Sequence, residues 1–180
     1  MKRLFIAMAL LLACAGLRAQ DTSDVLSRYT FSWGAQAGGS IDLSGHNMST
    51  IDFSAVVGMR HTWSKMLGVG VGAHVMVSNA CRTYPVFLSF RTDFSSSARR
   101  LLFMDTRAGI ANNTFPGNVQ RTGAYAYMGL GVNLATGRRF ASFLTLGYTF
   151  TQRGDVVYGD GLHTFLPHLH FASAAIGISF

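Results

Sequence analysis

The sequence predicts an all-β chain, a closed antiparallel transmembrane β-barrel of about eight strands wound as an up-and-down meander. Three observations predict it. Apolar residues recur at every second position in eight separate segments, the period of a strand with unlike faces. The opposite face is paved with Gly, Ser and Tyr rather than Lys and Glu. The 180 residues hold no Glu, eight Asp and only two Lys (Lys2 and Lys65), with 13% charged and 49% hydrophobic. Soluble domains carry about a quarter charged residues, so this chain is not built to face water all round.

The first element is an export signal. Lys2 and Arg3 precede an uncharged, mostly apolar run from Leu4 to Leu17, closed by Arg18. As a helix those 14 residues reach about 21 Å, short of the ~30 Å hydrocarbon core, which disfavours a membrane anchor. Cys14 raises the alternative of a lipid-modified cysteine, against which stands the bulk of Leu12 two positions earlier. Ala19 offers a small residue before a cut. The expected division is a signal over 1–19, a short periplasmic segment over 20–28 and the barrel over 29–180. Cleavage there leaves Cys81 as the one cysteine, so no internal disulfide is expected, and no metal-ligand spacing surrounds it.

The strands follow in order at about 29–41, 51–63, 66–78, 84–94, 101–111, 123–135, 140–151 and 169–180. The third is the clearest: Leu67, Val69, Val71, Ala73, Val75 and Val77 alternate with Gly68, Gly70, Gly72, His74, Met76 and Ser78. The sixth repeats it, with Ala124, Ala126, Met128, Leu130, Val132 and Leu134 against Tyr125, Tyr127, Gly129, Gly131 and Asn133. Each is long enough for the ~9–11 residues of a tilted membrane strand. The turns at Ser64-Lys65, Ser95 to Arg100 and Thr136 to Arg139 read as short. The connections Leu43 to Thr50, Ala111 to Thr122 and Gln152 to His168 read as longer, with Asn79 to Thr83 an exception. Short turns at one end and longer loops at the other is the plan of an outer-membrane barrel. An even strand count then puts both termini at the short-turn, periplasmic end.

A soluble barrel would turn the apolar face inward. Here the other face carries Gly34, Gly38, Gly68, Gly70, Gly72, Gly129 and Gly131, which suits a crowded eight-strand lumen better than a water-facing exterior. The apolar face is therefore assigned outward, to lipid. Closure follows, because unpaired strand edges find no partner in hydrocarbon. The lumenal face also carries Arg60, Arg91, Asp93, Asp105 and Arg107. Pairing of 84–94 with 101–111 would bring Arg91 close to Asp105, with Asp93 and Arg107 nearby. That set reads as a charge-neutral plug, or as a polar path for a small solute.

The signal, the glycine-punctuated strands and the ending Ala174, Ile176, Ile178, Phe180 together resemble the small outer-membrane β-barrel (porin-like) proteins of the OmpA/OmpX type. The resemblance implies a bacterial outer-membrane location, contact with outer-membrane lipid, and recognition of that C-terminal pattern by the barrel-assembly machinery. Ile178 departs from it mildly, since the family often places an aromatic residue there.

For function, the leading expectation is a non-enzymatic barrel that acts through its loops, with an extracellular ligand or partner at 152–168 and no cofactor. A lipid-modifying enzyme is the second reading. It needs a Ser–His–acid set, for which His163, His168 and His170 lie near Ser44, Ser49, Ser78, Asp155 and Asp160. The same histidines could instead hold a metal ion. A conducting pore is disfavoured by the strand number. The net charge of +7 arises from scattered Arg residues, with no basic helix or basic–aromatic signature, so no nucleic-acid partner is expected.

Overall fold

The computed structural model describes residues 29–61, 64–78, 80–94, 101–137, 140–153, 156–157, 163–164 and 168–180. The expected signal and the segment after it lie outside the described residues.

Eight long strands form the barrel: β1 (Thr30–Asp42), β2 (Thr50–His61), β3 (Ser64–Met76), β4 (Arg82–Asp93), β5 (Leu102–Thr114), β6 (Gln120–Thr136), β7 (Ala141–Gln152) and β10 (His168–Ser179). Between β7 and β10 a two-residue pair, β8 (Val156–Val157) and β9 (His163–Thr164), makes its own small ladder. Around the barrel the order is β1-β10-β7-β6-β5-β4-β3-β2, closed on itself. Every long strand lies beside its neighbour in sequence, and closure brings β10 against β1 from Gly34 opposite Ser179 to Asp42 opposite Phe171. A closed sheet satisfies its backbone donors and acceptors without an edge.

Most expected strands agree with the observed ones to within one to three residues. The connection expected over Ala111 to Thr122 is the main correction. Pairing continues through Asn112 with Thr122, Asn113 with Arg121 and Thr114 with Gln120, leaving residues 115–119 as the link. These polar side chains hid the strand from a pattern search, although their backbones pair like any others. The expected contrast of loop lengths is correspondingly weaker. At the terminus end the link 94–101 is longer than the loop-end link 77–81, and only 153–167 is distinctly long.

The faces divide as alternation requires. Val69, Leu130 and Ile176 are 53%, 59% and 57% exposed, whereas Asp105 is fully buried and Arg91 is 8% exposed. Along β2 the outward side chains Ile51, Phe53, Ala55, Val57 and Met59 cover about 27 Å of strand at ~3.4 Å per residue. At the tilt usual for such barrels that is roughly 20 Å of height, close to the apolar band of a membrane barrel.

Candidate functional site

Among the described residues, charge concentrates in the lumen. Arg91 and Asp105 are register partners across β4 and β5, and their Nη2 and Oδ2 atoms lie 2.7 Å apart. Arg107 grips the same carboxylate, donating from Nη2 to Oδ2 at 2.7 Å and from Nε to Oδ1 at 3.3 Å. It also donates to Gln36 Oε1 at 2.6 Å and Ser54 Oγ at 3.1 Å. One carboxylate thus holds two guanidinium groups, and aromatic rings face both. Arg91 lies over Phe143 and Phe103, 4.1 and 4.8 Å from their centroids. Arg107 lies over Tyr127 and Phe87 at 4.8 and 5.2 Å. Away from water such contacts add about 2 kcal/mol each.

Two of the five charges expected in one network stand elsewhere. Asp93 pairs with Lys65, Oδ1 to Nζ 2.8 Å, at the terminus end of the lumen. Arg60 is exposed and outside the cluster. Strict alternation would send it inward after Gly58, but the register shifts between Met59 and His61. Irregularities at a barrel rim re-aim side chains in this way.

The glycines make the room that a crowded lumen was expected to need, and the structure shows which rings fill it. A Cβ at Gly131 would overlap the Phe103 ring, and one at Gly177 the Phe143 ring. At Gly70 it would meet the Phe87 ring at 2.5 Å. Each of these three phenyl groups therefore lies against bare backbone on the neighbouring strand. Phe103 and Phe143 then meet edge to face, 5.6 Å between centroids.

Nearer the loop end runs a second polar network that the charge reading overlooked. Asp52 faces its register partner His74, with Oδ1 and Nδ1 2.7 Å apart. Thr50 donates to Oδ1 at 2.7 Å, and Ser40 hydrogen-bonds Oδ2. Ser40 also reaches Ser173 at 2.8 Å, and Ser173 reaches Thr149 at 2.7 Å, so the chain of hydroxyls crosses the β1–β10 seam. The signal was available: Asp52 and His74 both occupy lumenal positions of strands joined by a tight turn. Cavities of about 10 Å³ beside Arg91 and about 20 Å³ beside His74 remain in the lumen. Each has room for about one water molecule.

Above this layer, among the described residues, Met48, Met76, Cys81, Phe115, Leu169 and Phe171 form a buried apolar cluster. Arg153 is fully buried there, with Nη1 3.2 Å from Met48 Sδ and its guanidinium 4.8 Å from the Phe115 centroid.

The serines and histidines considered for nucleophilic catalysis do not converge where they are described. Ser44 Oγ accepts the backbone N–H of His170 at 2.9 Å rather than meeting its ring. The His170 ring hydrogen-bonds the Tyr148 hydroxyl, and both His168 and His170 pack on Phe150, 5.6 and 5.5 Å between centroids. Ser78 Oγ donates to the carbonyl of Asn47. Asp155, Asp160 and the His163 side chain lie outside the described residues. Among those described, no group of three His, Cys, Asp or Glu is placed to hold a metal ion.

The C-terminal residues line the seam. Ala174, Ile176 and Ile178 point outward opposite Gly39, Ala37 and Ala35. Phe180 stacks on Trp33, 4.5 Å between centroids, and exchanges backbone hydrogen bonds with it at 2.8 and 3.2 Å. Ser32 Oγ donates to the Phe180 carbonyl at 2.7 Å.

No protein-family model and no curated protein matches the sequence. Solved structures do. Neisserial surface protein A (NspA) is 13% identical with a TM-score of 0.54, over 84% of this chain and 97% of that one. The N-terminal β-barrel domain of Pseudomonas aeruginosa OprF is 14% identical with a TM-score of 0.50, over 83% of this chain and 97% of that one. This chain therefore has the fold of the small eight-stranded outer-membrane β-barrels of the OmpA/OmpX type.

Proposed function

We propose that this protein is an integral outer-membrane barrel, exported with removal of residues 1–19, that is not an enzyme and acts through the surface at its loop end. One observation carries the reading: large apolar side chains stand exposed all round the barrel while its buried interior holds Arg91, Asp105 and Arg107. In water that arrangement would leave a greasy exterior and an ionic core, both costly. In a bilayer the exterior meets acyl chains, and the interior charges meet one another.

The described lumen is filled, which favours a structural or surface-contact role over conduction. Planar-bilayer recording is expected to show no steady open channel. Alanine replacement of Ser44, Ser49, Ser78, His163, His168 and His170 is expected to leave membrane-lipid profiles unchanged. A changed profile would favour the lipid-modifying reading instead.

The deciding experiment is electrophoresis of the outer-membrane fraction with and without boiling, where a folded barrel migrates differently from its heated form. Removal of Phe180 is expected to abolish the unheated species. It deletes the Trp33 stack and several hydrogen bonds at the seam, together worth about 2–4 kcal/mol, and the terminal residue that the assembly machinery is expected to read. A second test bears on the lipid contact itself. Val69→Arg is expected to cost ~2–4 kcal/mol in urea unfolding from vesicles, as for a cation placed near the midplane of a barrel's outer face. An unchanged midpoint would mean that Val69 does not face hydrocarbon.

A further inference from the structure

The β1–β10 seam closes the barrel with little side-chain packing along its middle. The outward residues of β1 there are Ala35, Ala37 and Gly39, opposite Ile178, Ile176 and Ala174. On the lumenal side stand Gly34 and Gly38, where a Cβ would collide with the β10 backbone. Cross-strand pairs of side chains strengthen one strand's hold on the next, and few atoms are present for them here. Other groups hold the two ends of the seam. The Trp33–Phe180 stack and Ser32 serve one end, and the Ser40–Ser173 hydrogen bond lies nearer the other.

Between those ends β1 has one lumenal polar side chain, Gln36, and its partner comes from across the barrel. Arg107 Nη2 donates to Gln36 Oε1 at 2.6 Å, and Nη1 donates to Ser54 Oγ on β2 at 3.1 Å. β5 stands four strands from β1 by either route round the barrel. Laid flat, four strand spacings would put the two backbones roughly 19 Å apart, with the side chains of one face parallel and out of reach. Rolled into eight strands, the interior is only as wide as the side chains that fill it. The Arg107–Gln36 bond therefore exists only in the curved, closed sheet. Arg107 is braced for the reach: Asp105 holds its Nε and Nη2, and the Phe87 and Tyr127 rings face its guanidinium.

We propose that Arg107 is a cross-lumen tie that locks the barrel shut, holding the middle of β1 against β10 from inside. The cluster of Arg91, Asp105 and Arg107 then has two separable roles. Its ion pairs neutralise charge on β4 and β5, and its reach across the lumen to β1 and β2 secures closure.

The test uses the full mature barrel refolded in detergent micelles, with amide hydrogen exchange followed residue by residue by NMR. Gln36→Leu keeps bulk at that position and removes the acceptor, leaving the Asp105 pairs in place. The β1 amides from Gly34 to Asp42 and the β10 amides opposite them are expected to exchange about 10- to 100-fold faster than in wild type. That is the effect of losing a hydrogen bond to a charged group. Amides of β4 and β5 around Arg91 and Asp105 should keep their wild-type rates. Gln36→Glu, which restores an acceptor, should return the seam to wild-type protection or better. Equal acceleration in both regions overturns the proposal, because a general loss of stability opens the whole barrel together. So does an unchanged seam in Gln36→Leu, or a seam in Gln36→Glu as fast as in Gln36→Leu. If Gln36→Leu yields no unheated gel species, Gln36→Ala, which removes the acceptor without adding apolar bulk, is measured against the same outcomes.

Discussion

Asp105→Asn is expected to cost the barrel about 3–5 kcal/mol, measured by urea unfolding from lipid vesicles. Asp105 is fully buried and is the carboxylate on which Arg91 and Arg107 converge. The amide keeps the shape but removes the charge, so two guanidinium groups remain in the lumen without their counter-ion. Breaking a buried ion pair from one side carries a penalty of that size, whereas removing it whole often costs little. R91M/D105L/R107M should accordingly lose less than D105N alone, despite changing three residues. If the single variant unfolds at the wild-type urea concentration, the cluster is not what holds the lumen together.

The second large effect is expected at the seam. Gly38→Ala should destabilise by about 3 kcal/mol or more and reduce the unheated gel species. Gly38 lies opposite Ala175 across β1 and β10. A Cβ there would overlap the Ala174 carbonyl oxygen and lie 2.6 Å from the Ala175 Cβ. Backbone atoms cannot rotate away as a side chain would, so the strands must part, and overpacking of this sort is costly. Gly39→Ala next to it supplies the control. Its added Cβ points to the outer face and meets only Thr50 O, at 3.3 Å, so a change within ~1 kcal/mol is expected. Equal effects at the two positions would show that the loss comes from strand propensity rather than from closure.

Much of this molecule was legible before its coordinates. Alternation from Leu67 to Val77 and from Ala124 to Leu134 assigned faces, because a strand sends successive side chains to opposite sides. The composition of the two faces then turned the barrel inside out. Arg91 and Asp105 could be paired from sequence because a turn joins their strands and both lie on the lumenal face.

Other features depended on atoms far apart in the chain. Arg60 left the lumen because of a register shift that no alternation pattern records. Polar residues 112–114 and 120–122 were strand, since backbone pairing does not require an apolar side chain. Alternation determined which side chains enter the barrel, a local property of each strand. Only closure decided which of them meet across the barrel: Arg107 reaching Gln36, and Ser40 reaching Ser173. Those contacts join strands distant in sequence, and their geometry follows from the register and tilt of the whole sheet.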